Sequence, residues 1–117
     1  MAQIATQKGI PNAAIVSSAY FADKKDKPLL YEVAEVYIDN HVPHGDAVME
    51  IPGADTKMGS VSTAASSFIM QSVLMEGAAL AAQKGAKPPV YMSGNIEGGA
   101  EFNKKLIDEY LPKIKHL

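Results

Sequence analysis

The chain has 117 residues, 47% of them hydrophobic and 21% charged, which predicts a single soluble globular domain over residues 1–117. Its net charge of −2 gives no electrostatic basis for a nucleic-acid or membrane partner, so neither is expected. The sequence contains no Cys and no Arg, which excludes disulfides, thiolate metal sites, cysteine nucleophiles and the bidentate clamping of an anion by a guanidinium group.

Short helices and strands alternate in the first half of the chain. A helix is predicted at 1–8, and an apolar run rich in β-branched residues predicts a strand at 13–18. The other elements predicted in this half are an exposed charged loop at 21–28, a short helix at 29–34, a second strand at 35–39, a polar loop at 40–46 and a short extended piece at 47–51.

The longest predicted element is a helix at 62–84. Apolar residues lie on nearly all of its sides, a pattern typical of a helix inside a protein core. Gly85 ends this helix, and the prolines that follow prevent its return. A third short strand is predicted at 90–93, followed by a Gly-rich turn and a final amphipathic helix at 100–115.

Alternating strands and helices predict an α/β fold with about three parallel strands, right-handed crossovers and helices on both faces. Three parallel strands leave a long unpaired edge, which natural proteins rarely tolerate. The chain is therefore expected to belong to a larger domain or to pair with another chain. Because it shows neither a leader-like N-terminus nor eighteen uninterrupted apolar residues, the cytoplasm is the expected location.

Three hydroxyl residues, Ser60, Ser62 and Thr63, lie where the long helix begins. A hydroxyl at a helix N-cap satisfies free backbone N–H groups, and capping is one interpretation. The other is an anion cradle, in which hydroxyls, free N–H groups and the positive end of the helix dipole hold a phosphate. The two roles are compatible, and the sequence leaves both open. In a chain without Arg, this is the natural place for a phosphate.

Four segments in chain order together resemble the sugar isomerase (SIS) family. They are Ala5-x-x-Lys8-Gly9-x-x-x-Ala13-x-Ile15-x-Ser17, Val36-Tyr37-Ile38-Asp39-Asn40 with Pro43-x-Gly45-Asp46-Ala47, Lys57-Met58-Gly59-Ser60-Val61-Ser62-Thr63, and Pro88-Pro89-Val90-Tyr91-Met92-Ser93-Gly94-Asn95 with Gly98-Gly99 and Asn103. The resemblance covers essentially the whole chain and is greatest to a little-characterised, phosphoheptose-isomerase-like branch of the family.

This resemblance implies a fold and a function. SIS domains are flavodoxin-like three-layer sandwiches around a five-stranded parallel sheet, and they bind phosphosugars at the carboxyl ends of the strands. The chain is similar to the C-terminal half only, so a partial sandwich is expected. The resemblance implies a phosphosugar-binding module without a cofactor, completed by a complementary SIS half or another copy. Such an assembly is expected to act as an aldose–ketose isomerase. The alternative is a non-catalytic remnant that forms homo-oligomers.

Glu76 lies in an apolar row of the long helix, on the same face as Ile69, Val73 and Leu80. Apolar surroundings disfavour a charged carboxylate, which suits proton transfer next to a carbonyl, and SIS isomerases use a Glu or His for this step. Since Glu76 lies about 21 Å along the helix axis from Ser62, one substrate cannot touch both within one subunit. The other interpretation is a structural role, in an ion pair or at an interface.

The loop that follows the second strand places two His and two Asp within residues 39–46. Imidazole and carboxylate groups bind divalent metals, but this spacing matches no recurrent metal motif, so no metal is expected. A metal-binding protein is accordingly the third and weakest functional hypothesis. The other interpretation is a solvated loop at the rim of a pocket, where His44 is a candidate acid or base.

Two further polar residues follow predicted strands. Ser17 ends the strand at 13–18, and Asn95 lies in the Gly-rich turn after the strand at 90–93. Because ligands of open α/β sheets bind at the carboxyl ends of the strands, both are candidate contacts to a sugar phosphate. A plain turn is the simpler role for the segment that holds Asn95.

Overall fold

The computed structural model describes residues 1–23 and 26–114. The contacts divide the chain into two compact units, Met1–Leu74 and Met75–Leu117, and the boundary falls inside the longest helix. The expectation that residues 1–117 form one domain stays a prediction.

The first unit confirms the predicted order of short elements. Helix α1 covers Ala2–Gln7 and α2 covers Leu30–Val33, while strands β1 and β2 cover Ala13–Val16 and Val36–Asp39. A 3₁₀ turn at Ser18–Tyr20 follows β1. The two strands pair in parallel over their full length, as the sequence predicted. Their carboxyl ends therefore lie side by side, and the loops that leave them meet at one edge.

The first unit also contains an antiparallel hairpin. Strand β3 at Ala47–Met49 corresponds to the predicted extended piece, and it pairs with β4 at Met58–Ser60. The sequence predicted only a loop and a helix cap where β4 lies. Three residues are too few to show an alternating pattern, so nothing in the local sequence indicates this strand.

Helix α3 covers Ser62–Gln83 and confirms the predicted long helix. None of its described side chains is buried, and Phe68 is 75% exposed. The expectation that α3 lies inside a core is therefore not met among the described residues. The helix is long and apolar enough to cross a membrane, although core helices of soluble proteins have the same length and composition.

The second unit contains α4 at Gly99–Tyr110, followed by a 3₁₀ turn at Leu111–Lys113. The predicted final helix is confirmed over most of its length, and residue 115 lies outside the described residues. The predicted strand at 90–93 is wrong. The side-chain amide of Asn103 accepts from the Met92 N–H at 2.9 Å and donates to the Met92 carbonyl at 2.8 Å, so a side chain takes the place of a neighbouring strand.

The predicted fold class is also wrong. Instead of a partial flavodoxin-like sandwich with three parallel strands, the described residues hold two separate two-stranded sheets, one parallel and one antiparallel. The missing strand is the one predicted at 90–93, where the backbone of Met92 is hydrogen-bonded to the Asn103 side chain. The antiparallel pairing of β3 with β4 is an additional sheet that the sequence did not predict.

Hydrophobic burial is sparse in the described part of the chain. Only Ala14 and Val42 are buried hydrophobic residues, whereas large apolar side chains on every α-helix and on β2, β3 and β4 remain exposed. A folded domain of this size ordinarily buries well over half of its surface. The expectation that another polypeptide covers these side chains is consistent with this exposure and stays a prediction.

Candidate functional site

The N-terminus of α3 surrounds one carboxylate, that of Asp46. The Ser62 hydroxyl donates to it at 2.8 Å, and the backbone N–H groups of Val61 and Ser62 donate at 3.0 and 2.7 Å. The Ser60 hydroxyl donates a fourth hydrogen bond to the same carboxylate. Two hydroxyls and two backbone amides therefore converge on a single oxyanion, which belongs to the chain itself.

The hairpin places Asp46 at this position. Ala47 pairs with Ser60 across the two strands, so the residue just before β3 lies beside the residues just after β4. Asp46 has a backbone φ of 65°, a left-handed conformation that residues other than glycine rarely adopt. Its four hydrogen bonds hold the chain in this unfavourable conformation. The precise placement of the carboxylate thus depends on tertiary pairing.

Hydrogen bonding also sets the charge state of this carboxylate. The Ser60 and Ser62 hydroxyls, with the Ser62 and Val61 amides, lower the pKa of Asp46 from its ordinary value, because all four stabilise the charged form. A negative charge at a helix N-terminus is favoured by the helix dipole as well. The cap of α3 is therefore a distant aspartate, and the sequence predicted only a local hydroxyl.

The structure brings two of the three predicted hydroxyls together. Ser60 and Ser62 lie with their Oγ atoms 3.4 Å apart and share Asp46. Thr63 is exposed on the first turn of α3, and its hydroxyl makes no hydrogen bond within the described residues. It remains a candidate ligand contact that the cradle itself does not use.

The histidine loop separates into two His–Asp pairs rather than one cluster. His41 Nδ1 lies 3.3 Å from Asp39 Oδ2, whereas His44 Nε2 lies 2.7 Å from Asp23 Oδ2. Over residues 1–23 and 26–114, no group of three or more possible ligands is arranged to hold a metal ion. The metal-binding hypothesis therefore has no structural support.

Asp39 is a second capping carboxylate at the carboxyl end of β2. Its Oδ1 accepts from the backbone N–H groups of Ser18 at 3.1 Å and His41 at 2.9 Å. Hydrogen bonds from the Ser18 side chain and from these amides lower the pKa of Asp39. Asp39 thus resembles Asp46 in its chemistry, but its hydrogen-bond partners are Ser18 and His41 rather than the residues at the start of α3, which makes it a natural control in experiments.

His44 is held by two contacts of its own ring and by one contact of the neighbouring residue. Its ring stacks on Tyr20 with the ring centroids 4.6 Å apart, and Asp23 accepts from Nε2. The neighbouring Gly45 N–H donates to the Tyr20 hydroxyl oxygen at 2.8 Å. With the proton of the neutral ring on Nε2, Nδ1 is left as a proton acceptor. An open depression of about 740 Å³ lies beside this group; its lining residues are Tyr20, Asp23, Asp26, Lys27, Pro28 and Leu29.

Three predicted site residues, Ser17, Glu76 and Asn95, form no hydrogen bond with Asp46 or His44 within the described residues. The Ser17 hydroxyl donates to the Val42 carbonyl and accepts from the Ala19 N–H at 3.3 Å, so it ties β1 to the histidine loop. Glu76 and Asn95 belong to the second unit. Both are exposed in the described part of the chain. The Glu76 carboxylate is therefore accessible to water, whereas apolar surroundings were expected.

Sequence reasoning missed the residues that organise the site. Asp46 was recognised only as a member of the histidine loop, and its partners become visible only once β4 is known. Asp23 and His44 are 21 residues apart, and no short motif links them. The sequence contains one indication of this site, namely that two Asp and two His residues lie close together at and after the end of β2.

Comparison with known proteins gives relatives whose names state no activity. The UPF0309 protein GK1441 of Geobacillus kaustophilus is 36% identical over 118 residues, which cover 97% of this chain and 47% of that protein. A UPF0309 protein of Geobacillus thermodenitrificans is 39% identical with the same coverage. A third, from Brucella anthropi, is 37% identical over 99% of this chain and 48% of its own length.

The chain therefore spans about half the length of the curated relatives it matches. No protein-family model matches it.

Proposed function

We propose that this chain is a phosphosugar-binding module of the sugar isomerase type, whose ligand phosphate binds at the N-terminus of α3. The main support is the convergence of four donors from Ser60, Val61 and Ser62 on one carboxylate. A phosphate ester presents three acceptor oxygens, which match such a set of hydroxyl and amide donors. In this proposal the carboxylate of Asp46 stands in for two of the phosphate oxygens.

Asp46 and a phosphate cannot occupy the cradle together. Both are anions, and at hydrogen-bond range they repel each other even in water. Binding of a phosphate therefore requires the Asp46 side chain to leave, and its departure relieves the left-handed backbone conformation at this residue. Asp46 acts as an internal competitor that weakens the affinity of the wild-type chain for phosphosugars.

Sequence resemblance and chain length support the assignment to this type. The loop at 57–63 and the segment at 88–95 carry the resemblance, and the relatives are about twice as long as this chain. We accordingly propose that a complementary half, or another copy, completes the ligand site. Thr63 and Ser17 are retained as candidate contacts to the ligand, and the role of Asn95, which belongs to the second unit, stays a separate prediction.

His44 is the candidate acid or base of an aldose–ketose isomerisation. In this reaction a base removes a proton from the carbon next to the carbonyl and returns it to the former carbonyl carbon, while the proton of the neighbouring hydroxyl moves to the carbonyl oxygen. No oxidant or cofactor is needed, because only protons are transferred. His44 lies two residues before Asp46, which keeps their Cα atoms within about 7 Å. Six bonds from phosphorus along a sugar phosphate span a similar distance. Glu76 is the second candidate and would act from a neighbouring subunit.

Calorimetric titration with hexose and heptose phosphates tests the binding site. Ser62→Ala is expected to abolish measurable binding. Asp46→Ala is expected to raise the affinity about fivefold, which corresponds to removing one nearby like charge. The control is Asp39→Ala, since Asp39 also accepts from two backbone amides, but these belong to Ser18 and His41 and not to the cradle. The affinity of this variant is expected to match the wild type. Equal affinities for wild type, Asp46→Ala and Ser62→Ala would refute the proposed site.

A non-catalytic, oligomerising remnant is the second candidate function. It is favoured by the exposure of apolar side chains along α3, of which Phe68 is the largest. Light scattering of wild type is expected to give a mass above one chain, and Phe68→Lys is expected to lower it. Gln71→Lys, an exposed polar position one turn away, is the control. A monomer at micromolar concentration would contradict both oligomerisation and the need for a second copy.

Co-expression distinguishes the two ways of completing the site. The partner chain is the part of the Geobacillus thermodenitrificans protein that lies outside its matched segment. A stable one-to-one complex that binds a phosphosugar supports a complementary half, whereas binding by a homo-oligomer alone supports a second copy. Absence of phosphosugar binding in both samples leaves only the remnant.

We also propose that the protein works in the cytoplasm without a membrane or nucleic acid. The ordinary soluble composition supports this location. Fractionation of expressing cells is expected to leave the chain in the supernatant after high-speed centrifugation. Recovery only with detergent would instead indicate that α3 inserts into a membrane.

A further inference from the structure

A pocket of about 380 Å³ lies within the second unit, between the proline segment and α4. Its apolar lining consists of Pro88, Pro89, Phe102, Leu106 and Tyr110, and its charged lining consists of Lys87, Lys105 and Glu109. This volume is within the range of small-molecule sites and is too small for a folded peptide segment. None of these residues belongs to the site at the start of α3.

Two interactions fix the walls of this pocket. The Asn103 side chain binds both backbone polar groups of Met92, which anchors the chain after the prolines to α4. The Lys113 ammonium lies 4.4 Å from the centroid of the ring of Tyr110, which is another lining residue. The pocket is therefore formed by a proline segment with restricted backbone freedom and by a helix to which that segment is hydrogen-bonded.

The charge of the pocket is positive. Within the described residues, Lys87 and Lys105 form no ion pair, whereas Glu109 is paired with Lys113 at 3.5 Å. The neighbouring Lys104 is paired with Asp108 at 3.0 Å and is not part of the lining. Two unpaired ammonium groups thus border an apolar floor, a combination that favours an anion attached to an apolar body.

We propose that this pocket binds a small organic anion that carries a flat ring, such as an aryl phosphate or aryl carboxylate. The ring packs against the prolines and the Phe102 and Tyr110 side chains, and the anionic group lies between Lys87 and Lys105. Ring contacts contribute through apolar burial and aromatic packing, and the lysines contribute charge complementarity. This second site is independent of the function proposed for the first unit.

Titration of the ¹⁵N-labelled full chain with phenyl phosphate, followed by amide chemical shifts, tests the proposal. Saturable shifts are expected at Phe102 and Tyr110. Lys87→Ala and Lys105→Ala are each expected to weaken binding about threefold to fivefold, the range that an exposed ion pair supports. Lys104→Ala is the control, because it removes the same charge from the adjacent helix position; its affinity is expected to stay within about 1.5-fold of wild type.

Two further ligands separate the contributions of ring and charge. Inorganic phosphate lacks the ring and phenol lacks the anion, so each is expected to bind more weakly than phenyl phosphate. The absence of saturable shifts at Phe102 and Tyr110 would overturn the proposal. Equal weakening by Lys104→Ala and Lys105→Ala would also overturn it, because the effect would then reflect the overall charge of the chain.

Discussion

Replacement of Asn103 by alanine is expected to release the proline segment from α4. The Asn103 amide makes two neutral hydrogen bonds to Met92, at 2.9 and 2.8 Å. Each such bond contributes about 0.5–1.5 kcal/mol net, so the loss is about 1–3 kcal/mol. Because these bonds tie one segment locally, we expect the effect in local opening rather than in the unfolding of both units.

Hydrogen exchange at the Met92 amide measures this effect. The Met92 N–H donates to Asn103, so its exchange rate in Asn103→Ala is expected to rise about fivefold to a hundredfold, which is 1–3 kcal/mol converted at 1.4 kcal/mol per factor of ten. Asn103→Asp keeps the acceptor for the Met92 N–H but loses the donor to its carbonyl, and we expect an intermediate rate. Asn95→Ala is the control, because the Asn95 side chain makes no hydrogen bond within the described residues. Unchanged exchange at Met92 in Asn103→Ala would refute the role given to this amide.

Three further predictions concern the first unit. Hydrogen bonds lower the pKa of Asp46 and Asp39 in the folded chain, so the stability that they contribute is complete above about pH 4 and is lost as the pH falls through the lowered pKa values. In an acid titration followed by circular dichroism, the stability of Asp46→Asn is expected to depend less on pH than that of the wild type. Identical titration curves for the two proteins would contradict this prediction. In deuterated water, a bound aldose phosphate is expected to exchange the hydrogen next to its carbonyl, with loss of exchange in His44→Gln but not in His41→Gln; equal rates in both variants would exclude His44 as the base. Asp23→Ala removes the acceptor for His44 Nε2, and we expect the rate of this exchange to fall while binding of the sugar phosphate stays unchanged, whereas an unchanged rate would show that the contact with Asp23 does not position His44.

The exposed surface of the chain bears on all of these experiments. Ala14 and Val42 are the only buried hydrophobic residues in the described part of the chain. Apolar burial within the chain therefore contributes little to the free energy of unfolding. Binding of a covering partner would stabilise the chain by mass action. The melting temperature is therefore expected to rise with protein concentration when copies associate, and with added partner chain when a complementary half is needed.

Local patterns in the sequence place most of the helices and strands of this protein. Apolar runs and helix-ending glycines and prolines were sufficient to locate α1, strands β1 and β2 and helix α3, because each pattern reflects the periodicity of its own segment. They also located the polar loop and the hydroxyls at the start of α3. These features depend on neighbours within a few residues, where side-chain periodicity is informative.

The pairing of the polar groups, in contrast, follows from the tertiary fold. Asp46 reaches Ser62 across 16 residues, Asp23 reaches His44 across 21, and Asn103 replaces a strand beside Met92 across 11. Hydrogen bonds of this kind follow from where the chain turns, and a single pair leaves no periodic pattern in the sequence. The predicted three-stranded sheet was wrong for the same reason: the backbone groups of Met92, in the predicted third strand, are hydrogen-bonded to the Asn103 side chain, and the sequence gives no sign of this pairing.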